Sequence, residues 1–314
     1  MSGKDMAPTT LEKYAKQVSV IIPSKDGRTT IDRALESLVL SAPYIREVFI
    51  VYSNSPPEYT EACRKLPARY QEHFEVKLID SGPKSNGSIA RNAPLSIAQG
   101  AYTAFLDDDD EWFDGKLHAY FLFMEERQIK GNFVLFSTVI GCQEDKTQPH
   151  LLPSRPYKGE PIAEFILSFG GGAQTSALLM PTSLAHAVQF DPKLPRHQDY
   201  DFCMRLAEHG APFYHLEAPM SYWYQRGNVA AKGGTFEFYT TWILANKNRL
   251  SSRAYSAYVG KELFAAARAS GEWPAFWKFL SKHLTISERI NLIAQLNMRA
   301  LRSLVRHSSK IRTR

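Results

Sequence analysis

The first third of the chain alternates short apolar runs with amphipathic stretches. Four runs have the length and β-branched content of buried strands: VSVIIP (18–23), EVFIVYSN (47–54), FEVKLID (74–80) and AYTAFL (101–106). The intervening stretches over residues 29–40 and 59–70 space their apolar residues as helices do, and residues 88–100 predict a short helix that Pro94 breaks. Strands that alternate with helices predict right-handed crossovers and a largely parallel sheet.

The second half of the chain is less regular. GNFVLFSTVIG (131–141) has the pattern of a strand, and a proline-rich stretch over residues 148–161 is typical of a loop. QDYDFCMRLAEHG (198–210) predicts a helix that ends at a glycine cap. After Gly234 the pattern is helical to the end of the chain, with aromatic and basic residues interleaved.

Composition indicates an ordinary folded protein. The 314 residues are 44% hydrophobic and 22% charged, enough for one large domain or two modest ones. The three cysteines are far apart and form no CxxC pair, which argues against a disulfide framework or a zinc site and favours a reducing compartment. The N-terminal stretch lacks an apolar signal core, and no run approaches the roughly 20 apolar residues that span a bilayer. We expect a soluble, cytoplasmic protein.

The net charge of +6 is concentrated near the C-terminus, where residues 251–314 carry 12 Lys/Arg and 3 Asp/Glu. Within this segment, AFWKFLSKHL (275–284) and LIAQLNMRALRSLVR (292–306) combine helical apolar spacing with basic residues. This pattern suits an interfacial helix on anionic lipid, at the inner face of the membrane. The alternative is a packed helical subdomain with a solvated basic face. We expect no nucleic-acid partner, because no nucleic-acid-binding module accompanies the charge.

The stretch FLDDDDEW (105–112) places four aspartates directly after a predicted strand. In parallel sheets, ligands bind beyond the carboxyl ends of the strands, and the loops over residues 24–28 and 53–57 also follow strands. Adjacent carboxylates are tolerable when a divalent cation neutralises them, and Mg²⁺ is usually held by one or two carboxylates together with substrate phosphates. The alternative is a solvated acidic turn that caps a helix beginning near Asp114.

Sequence motifs indicate which kind of ligand-binding site the chain has. The chain has no GxGxxG after a strand and no GxxxxGK[ST], so neither a dinucleotide-binding site nor a P-loop is indicated. In contrast, the chain resembles the family 2 inverting glycosyltransferases of the GT-A fold. The similar motifs follow one another in the same order as in that family, over roughly residues 18–226. The resembling segments are VSVIIPSKDG, IREVFIVYSNS, SNGSIARNAPLSIAQGAYTAFLDDDDEWFDGKL and FDPKLPRHQDYDFCMRLAEHG.

The resemblance implies an α/β fold of the GT-A type. Its Rossmann-like, mostly parallel central sheet would be flanked by helices and followed by a C-terminal helical extension. The implied organisation is an N-terminal extension (1–17), a nucleotide-sugar-binding half (18–113), an acceptor-binding half of the same domain (114–233) and a basic helical C-terminal region (234–314).

The family pattern also implies roles for the aspartates and their neighbours. Asp107, Asp109 and Asp110 fall on the family's D-x-D-D positions, with Asp108 in the variable slot. Asp109 is the implied direct ligand of Mn²⁺ or Mg²⁺. The implied contacts to the nucleotide donor are Pro23, Ser24, Asp26, Ser53, Arg91, Asp107 and Asp108. From the residues alone, Arg91 could instead be a surface helix residue.

Asp199 matches the second residue of the family's E-D pair, and the resemblance implies that it is the general base. An acid at a helix start is also often only a charge partner of the helix N-terminus, so that alternative stays open. The sequence departs from the family at three places. Ser53 and Asn54 stand where a base-binding aspartate often lies, Gln198 replaces the glutamate before Asp199, and Pro94 replaces a glycine.

The sequence therefore favours a metal-dependent inverting glycosyltransferase. It would move a sugar from a nucleotide-diphospho-sugar, with UDP-sugars favoured, to a hydroxyl of a saccharide or lipid-linked acceptor in surface polysaccharide synthesis. A sugar nucleotidyltransferase is disfavoured because the chain has VIIPSKDG in place of the G-x-G-x-R-x-x-P opening of that class. A non-catalytic protein of the same fold is disfavoured because the aspartates are intact.

Overall fold

The structure, a computed structural model, describes residues 9–25, 29–168, 170–225 and 234–294. The chain divides into two compact units. Unit 1 takes the residues up to Gly159 and those from Ala173 to Arg226, and unit 2 takes Glu160–Gly172 and the residues from Gly227 onward. The predicted division into a donor half and an acceptor half of one domain stays a prediction.

The described part of unit 1 contains a single sheet of nine strands. They are β1 (Val18–Lys25), β2 (Ile45–Ser53), β3 (Glu75–Asp80), β4 (Tyr102–Phe105), β5 (Glu111–Trp112), β6 (Val134–Cys142), β7 (His150–Leu152), β8 (Leu179–Pro181) and β9 (Phe213–Tyr224). The order across the sheet is β3-β2-β1-β4-β8-β6-β9-β5, with β7 paired to β6.

Helices connect these strands. They are α1 (Thr10–Tyr14), α2 (Ile31–Glu36), α3 (Pro57–Cys63), α4 (Leu66–Tyr70), α5 (Gly87–Asn92), α6 (Lys116–Glu126), α8 (Thr182–Val188) and α9 (Gln198–Glu208). The 3₁₀ turns are Val39–Tyr44 and Thr175–Ala177, and α7 (Ile162–Leu167) belongs to unit 2.

Strands β1 to β4 pair in parallel, and β8 then pairs antiparallel with β4. The predicted α/β fold with a parallel sheet among helices is confirmed.

The central strand β1 is buried on both faces, which explains its continuous apolar run. Val20 and Ile22 point to one face and Ile21 to the other, and all three are inaccessible to solvent. Strand β2 is buried in the same way, as expected for parallel strands that are covered on both sides. Because β1 pairs in parallel with both β2 and β4, the carboxyl ends of these three strands lie at one edge of the sheet.

Two predicted helices are shorter than the apolar spacing suggested. The stretch over residues 59–70 forms two helices, α3 and α4, because Pro67 has no amide hydrogen to donate to the carbonyl of Cys63. The stretch over residues 29–40 contains α2, which ends at Glu36, followed by the 3₁₀ turn that carries Pro43. The helix predicted over residues 198–210 is present as α9.

The acidic run does not cap the following helix, so that alternative is wrong. Helix α6 begins at Lys116, its N-cap is Gly115 with a φ of 73°, and its first turn holds no acidic residue. A left-handed residue at this position favours glycine. The four aspartates therefore serve another purpose than helix capping.

Unit 2 is helical in its described part. It contains α7 together with α10 (Phe236–Ala245), α11 (Ser252–Tyr258), α12 (Phe264–Ser270), α13 (Trp273–His283) and a helix over residues 286–294. A π-helical segment, Val259–Leu263, joins α11 to α12. Within the described ranges, none of the helices has both the length and the apolar character needed to cross a bilayer.

The interior of unit 2 is aromatic. The rings of Trp242 and Tyr258 stack with centroids 5.0 Å apart, and Phe264 meets Phe276 edge-on at 5.8 Å. Ser251 donates a hydrogen bond to Glu164, which ties α11 to α7. The helical character predicted after Gly234 is thus observed for residues 236–294, apart from short turns between the helices.

A pair of leucines tests how far the core of unit 1 determines stability. Leu35 on α2 is fully buried, whereas Leu40 is 62% exposed. We expect Leu35→Ala to lower the free energy of unfolding by about 2–5 kcal/mol, because it leaves a cavity in a packed core. The control Leu40→Ala should change it by less than about 0.5 kcal/mol. Urea denaturation of both variants measures the difference, and equal effects would contradict the observed packing of α2.

Candidate active site

The four aspartates form a buried turn at the carboxyl end of β4. The amide of Asp110 donates to the carbonyl of Asp107 at 3.0 Å, and the amide of Leu106 donates to Ile21 on β1 at 3.1 Å. Asp108, Asp109 and Asp110 are all less than 9% exposed. Buried carboxylates need partners, and each of the four has a distinct set of contacts.

Asp107 is paired with Arg91. Nη2 of Arg91 lies 2.6 Å from Oδ1 of Asp107, and its Nη1 donates to Oε1 of Gln198 at 2.9 Å. Arg91 is on α5 and is 8% exposed, so the alternative of a surface helix residue is wrong. One guanidinium thus connects the aspartate turn, α5 and the start of α9.

Asp108 contacts the carboxyl end of β1. The hydroxyl of Ser24 donates to Oδ2 of Asp108 at 2.7 Å and also lies 2.6 Å from Oη of Tyr59 on α3. The structure therefore brings Ser24 and Asp108 together at one edge of the sheet, as the sequence predicted, although Ser24 lies at the end of β1 and not in the loop after it. Pro23 precedes Ser24 on β1 and is partly exposed. Asp26 lies outside the described residues.

Arg33 holds the backbone of Asp109. Nη2 of Arg33, on α2, donates to the carbonyl oxygen of Asp109 at 2.8 Å. The same guanidinium lies 3.2 Å from Glu111 and packs over the ring of Tyr224, with its carbon 4.1 Å from the ring centroid. Arg33 was not identified from the sequence, because its position on a short amphipathic helix has no distinguishing feature.

Asp110 is fully buried and accepts hydrogen bonds at both carboxylate oxygens. Oδ2 accepts from Nε2 of Gln174 at 2.8 Å and from the hydroxyl of Ser176 at 2.6 Å, and Oδ1 accepts from the amide of Tyr224 at 3.1 Å. Burial, and the negative charges of Asp107 and Asp109, raise the pKa of Asp110 well above its usual value. Asp110 is thus the aspartate of the turn that faces the protein interior.

A buried lysine lies beneath this turn. Nζ of Lys116 donates to the carbonyl oxygen of Ser176 at 2.5 Å and sits 4.3 Å from the centroid of the Trp112 ring. Burial lowers the pKa of Lys116 well below its usual value. Lys116 was not predicted as a site residue, although its spacing of four residues from Tyr120 and eight from Met124 places it on the apolar face of α6.

Asp199 and Asp201 at the start of α9 have different surroundings. Asp201 is buried and paired with Arg205, whose guanidinium also donates to the carbonyls of Val188 and Gln189. Asp199 is partly exposed and accepts from the amide of Tyr200 at 3.0 Å. Its carboxyl group is enclosed by protein atoms, and this burial raises the pKa of Asp199. Asp201 is therefore committed to a structural ion pair, whereas Asp199 is not.

A cavity of about 470 Å³ opens at the carboxyl ends of β2 and β3. Its lining residues are mostly polar or small: Tyr52, Asn54, Ser55, Pro56, Thr60, Asp80 and Pro83. The predicted contact residue Ser53 is buried and does not line the cavity, but its two successors do. Asp80 was missed by the sequence analysis, although it ends a predicted strand at the same edge.

The aspartate turn is the part of the described chain whose carboxylate oxygens suit a hard divalent cation. Among the described residues, no three His, Cys, Asp or Glu side chains converge as a preformed metal cluster. Mg²⁺ commonly needs only one or two carboxylates, with substrate phosphates and water completing its ligands. Asp107 and Asp109 supply carboxylates of that kind, whereas Asp110 is already saturated by internal donors.

Parallel strands with an aspartate turn and a polar cavity at their carboxyl edge are the arrangement in which α/β enzymes bind their ligands. Residues 19–178 match the family described as "Glycosyl transferase family 2", which is about half of the chain. The chain is also 30% identical over 248 residues to the amylovoran biosynthesis glycosyltransferase AmsB of Erwinia amylovora, which covers 76% of this chain and 82% of that protein. The chain belongs to glycosyl transferase family 2 and is a glycosyltransferase.

Solved structures agree with this fold. TarS of S. aureus (residues 1–349), in complex with UDP-GlcNAc, superposes with a TM-score of 0.57 at 17% identity and covers 89% of this chain and 79% of its own. The mannosyltransferase PcManGT of Pyrobaculum calidifontis, in complex with GDP-Man and Mn²⁺, gives a TM-score of 0.56 at 16% identity and covers 96% and 84%. The predicted GT-A fold is confirmed.

Proposed function

We propose that this protein transfers a sugar from a nucleotide-diphospho-sugar, with a UDP-sugar favoured, to a hydroxyl group of a saccharide or lipid-linked acceptor. The transfer inverts the anomeric carbon, uses Mn²⁺ or Mg²⁺ and contributes to surface polysaccharide synthesis. The similarity to AmsB supports the polysaccharide context. The observation that carries the proposal is the aspartate turn, in which four adjacent carboxylates are held at the carboxyl edge of the sheet.

The donor nucleotide would occupy the edge formed by β1, β2 and β3. The cavity beside Asn54 and Asp80 offers a carboxylate and an amide for the polar edge of a base. Arg91 fixes Asp107 at the other side of this edge, where a ribose or phosphate could contact both residues. Ser24 connects the two regions, because its hydroxyl meets both Asp108 and Tyr59.

The diphosphate of the sugar donor and the aspartates are both negatively charged, so a cation is needed between them. In this proposal, Asp109 holds the cation, and Asp107 contributes to the same negatively charged pocket. The chemistry that such a cation supplies when bound is stabilisation of the charge that develops on the leaving diphosphate. Arg33 keeps the backbone of Asp109 in place through its contact with the carbonyl oxygen.

Asp199 is the proposed general base. The attacking hydroxyl must lose its proton, and a carboxylate within hydrogen-bond reach can accept it. A raised pKa brings Asp199 closer to the working pH and makes it a stronger base than an ordinary aspartate. The contact of Arg91 with Gln198 places α9, and hence Asp199, next to the aspartate turn. Asp201 is excluded from this role by its ion pair with Arg205.

We further propose that unit 2 holds the enzyme against anionic lipid, near a lipid-linked acceptor. Three isoleucines of the helix over residues 286–294 share one face and are exposed: Ile286 (78%), Ile290 (61%) and Ile293 (58%). The opposite face is buried at Glu288 and Leu292. Arg289 donates to the carbonyl of Ser281, which fixes this helix to α13. An exposed apolar stripe of this size on a helix indicates an interaction surface.

Basic residues accompany this stripe. Lys278, Lys282 and Arg289 are exposed, and so is Trp277, an aromatic residue typical of membrane interfaces. The packed helical subdomain, which was the alternative from the sequence, accounts for the aromatic interior of unit 2. It does not account for the exposed isoleucines. Much of the second amphipathic segment, from residue 295 onward, lies outside the described residues.

The first prediction concerns the cation. Asp109→Asn should reduce kcat by roughly 100-fold or more, because a neutral amide binds a hard cation poorly and several kcal/mol of charge stabilisation are lost. Asp114→Asn, an exposed aspartate of the same loop region, is the matched control and should retain activity. Transfer assays with UDP-, GDP- and TDP-sugars, with and without Mn²⁺ and EDTA, measure both. Wild-type rates in EDTA together with an active Asp109→Asn would rule out a metal-dependent reaction.

The second prediction concerns the base. Asp199→Asn should lower kcat by roughly 10²–10⁴-fold while donor binding is retained. The wild-type kcat/KM should rise with pH as Asp199 loses its proton and level off once it is ionised. Because burial raises the pKa of Asp199, the midpoint of this rise should lie above that of an ordinary aspartate. The variant should lose this rise. Glu208→Gln, on the exposed end of α9, is the control. Full activity in Asp199→Asn would assign the base elsewhere.

The third prediction concerns the lipid surface. Full-length protein should co-sediment with vesicles that contain anionic lipid and not with neutral vesicles, since each Lys or Arg near the surface contributes about 1 kcal/mol. Binding should weaken between 0.1 and 1 M salt, as the Debye length falls from about 10 to about 3 Å. Replacing Ile286, Ile290 and Ile293 by serine should weaken it at every salt concentration.

The control for this experiment replaces two exposed apolar residues of unit 1, Leu40 and Ile97, by serine. These changes should leave vesicle binding as it is in the wild type. If the wild-type protein stays in solution with anionic vesicles at low salt, the lipid proposal is wrong. If both sets of variants bind equally, the isoleucine stripe is not the lipid-binding face.

A further inference from the structure

Ser176 is joined to the aspartate turn and its surroundings by six hydrogen bonds. It lies in the 3₁₀ turn Thr175–Ala177, is fully buried and follows a stretch of small residues that carries no known catalytic motif. Its hydroxyl accepts from the amide of Asp107 at 3.0 Å and donates to Oδ2 of Asp110 at 2.6 Å. A single hydroxyl therefore bridges the first and the last residue of the turn.

Ser176 is itself fixed from the other side. Its carbonyl oxygen accepts from Nζ of Lys116 at 2.5 Å and from Nε1 of Trp112 at 3.0 Å. Its amide donates to Oε1 of Gln174 at 2.6 Å, and Nε2 of Gln174 contacts both the hydroxyl and Asp110. Every polar group of Ser176 thus has a partner, and these partners come from α6, from β5 and from its own turn.

We infer that Ser176 is a positioning residue for glycosyl transfer, which holds the Asp107–Asp110 turn in the conformation that receives the donor and its cation. The physical reason is charge crowding. Four adjacent carboxylates repel one another, and the turn would open unless both of its ends were tied. The bridge through Ser176 ties the backbone of Asp107 to the side chain of Asp110, so that Asp107 and Asp109 keep a fixed relative position. This inference rests on the proposed function of the turn.

A positioning role differs from a purely structural one in its consequences. Removing the hydroxyl leaves the amide of Asp107 without an acceptor and Asp110 with one donor fewer, next to the proposed cation ligand. A merely structural serine would lower the melting temperature without altering affinity for a divalent ion. Ser41 provides the matched control, because it is equally buried but its hydroxyl has no hydrogen-bond partner and it lies in the turn before β2.

The experiment compares Ser176→Ala, Ser176→Cys and Ser41→Ala with the wild type. Free Mn²⁺ is counted by electron paramagnetic resonance during titration of each protein in the presence of UDP. We expect the Kd for Mn²⁺ to rise about tenfold or more in Ser176→Ala and less in Ser176→Cys, whose thiol keeps the shape but forms weaker hydrogen bonds. The Kd should be unchanged in Ser41→Ala. Ser176→Cys also serves if Ser176→Ala does not fold.

A second readout does not depend on metal or activity. Hydrogen–deuterium exchange of the peptide that covers Asp107–Trp112 should be faster in both Ser176 variants and unchanged in Ser41→Ala. Wild-type exchange rates in the Ser176 variants would overturn the inference. Unaltered Mn²⁺ affinity in variants whose exchange is faster would also overturn it, because the turn would then not position the cation ligand. If the wild type itself binds no Mn²⁺ with UDP, GDP or TDP, the metal-dependent function fails, and exchange alone decides whether Ser176 holds the turn.

Discussion

The mutual repulsion of four adjacent carboxylates is the constraint on which the rest of the site depends. At a sheet edge covered by other elements, each aspartate loses water that would otherwise screen its charge. The protein compensates by giving each one its own partner, from four different parts of unit 1. Arg91 contacts Asp107, Ser24 contacts Asp108, Arg33 contacts the backbone of Asp109, and Ser176 contacts Asp110. The turn therefore acts as the point at which α2, α5, β1 and the Thr175–Ala177 turn converge.

These contacts divide the aspartates into two groups. Asp110 points inward and is saturated by Gln174, Ser176 and the amide of Tyr224, with Lys116 close beneath it. The other three are held by Arg91, Ser24 and Arg33, and to two of them, Asp107 and Asp109, we assign the proposed chemistry of the donor and the cation. Asp110 therefore anchors the turn.

The same arrangement links donor and acceptor chemistry. Arg91 contacts Asp107 with one nitrogen and Gln198 with the other, so one side chain connects the aspartate turn to the start of α9. Asp199 follows directly, and its enclosure raises its pKa, which suits the general base that we propose. In the proposed reaction this connection matters, because the acceptor hydroxyl loses its proton as the diphosphate of the donor leaves.

The sequence by itself determined strands β1 to β4 and β6, the edge at which their loops meet and the identity of the aspartate run. Apolar runs of β-branched residues and a specific block around Arg91 and Asp107 are local features, and a local pattern can be read without coordinates. The sequence placed Arg91 and Ser24 in the site but did not pair them with particular aspartates, and Arg33 and Ser176 could not be read in this way. Ser24, Arg33 and Ser176 lie 84, 76 and 66 residues from the aspartates they contact. Only the tertiary structure brings them together, and the free energy of a buried charge depends on these distant donors and not on its neighbours in sequence.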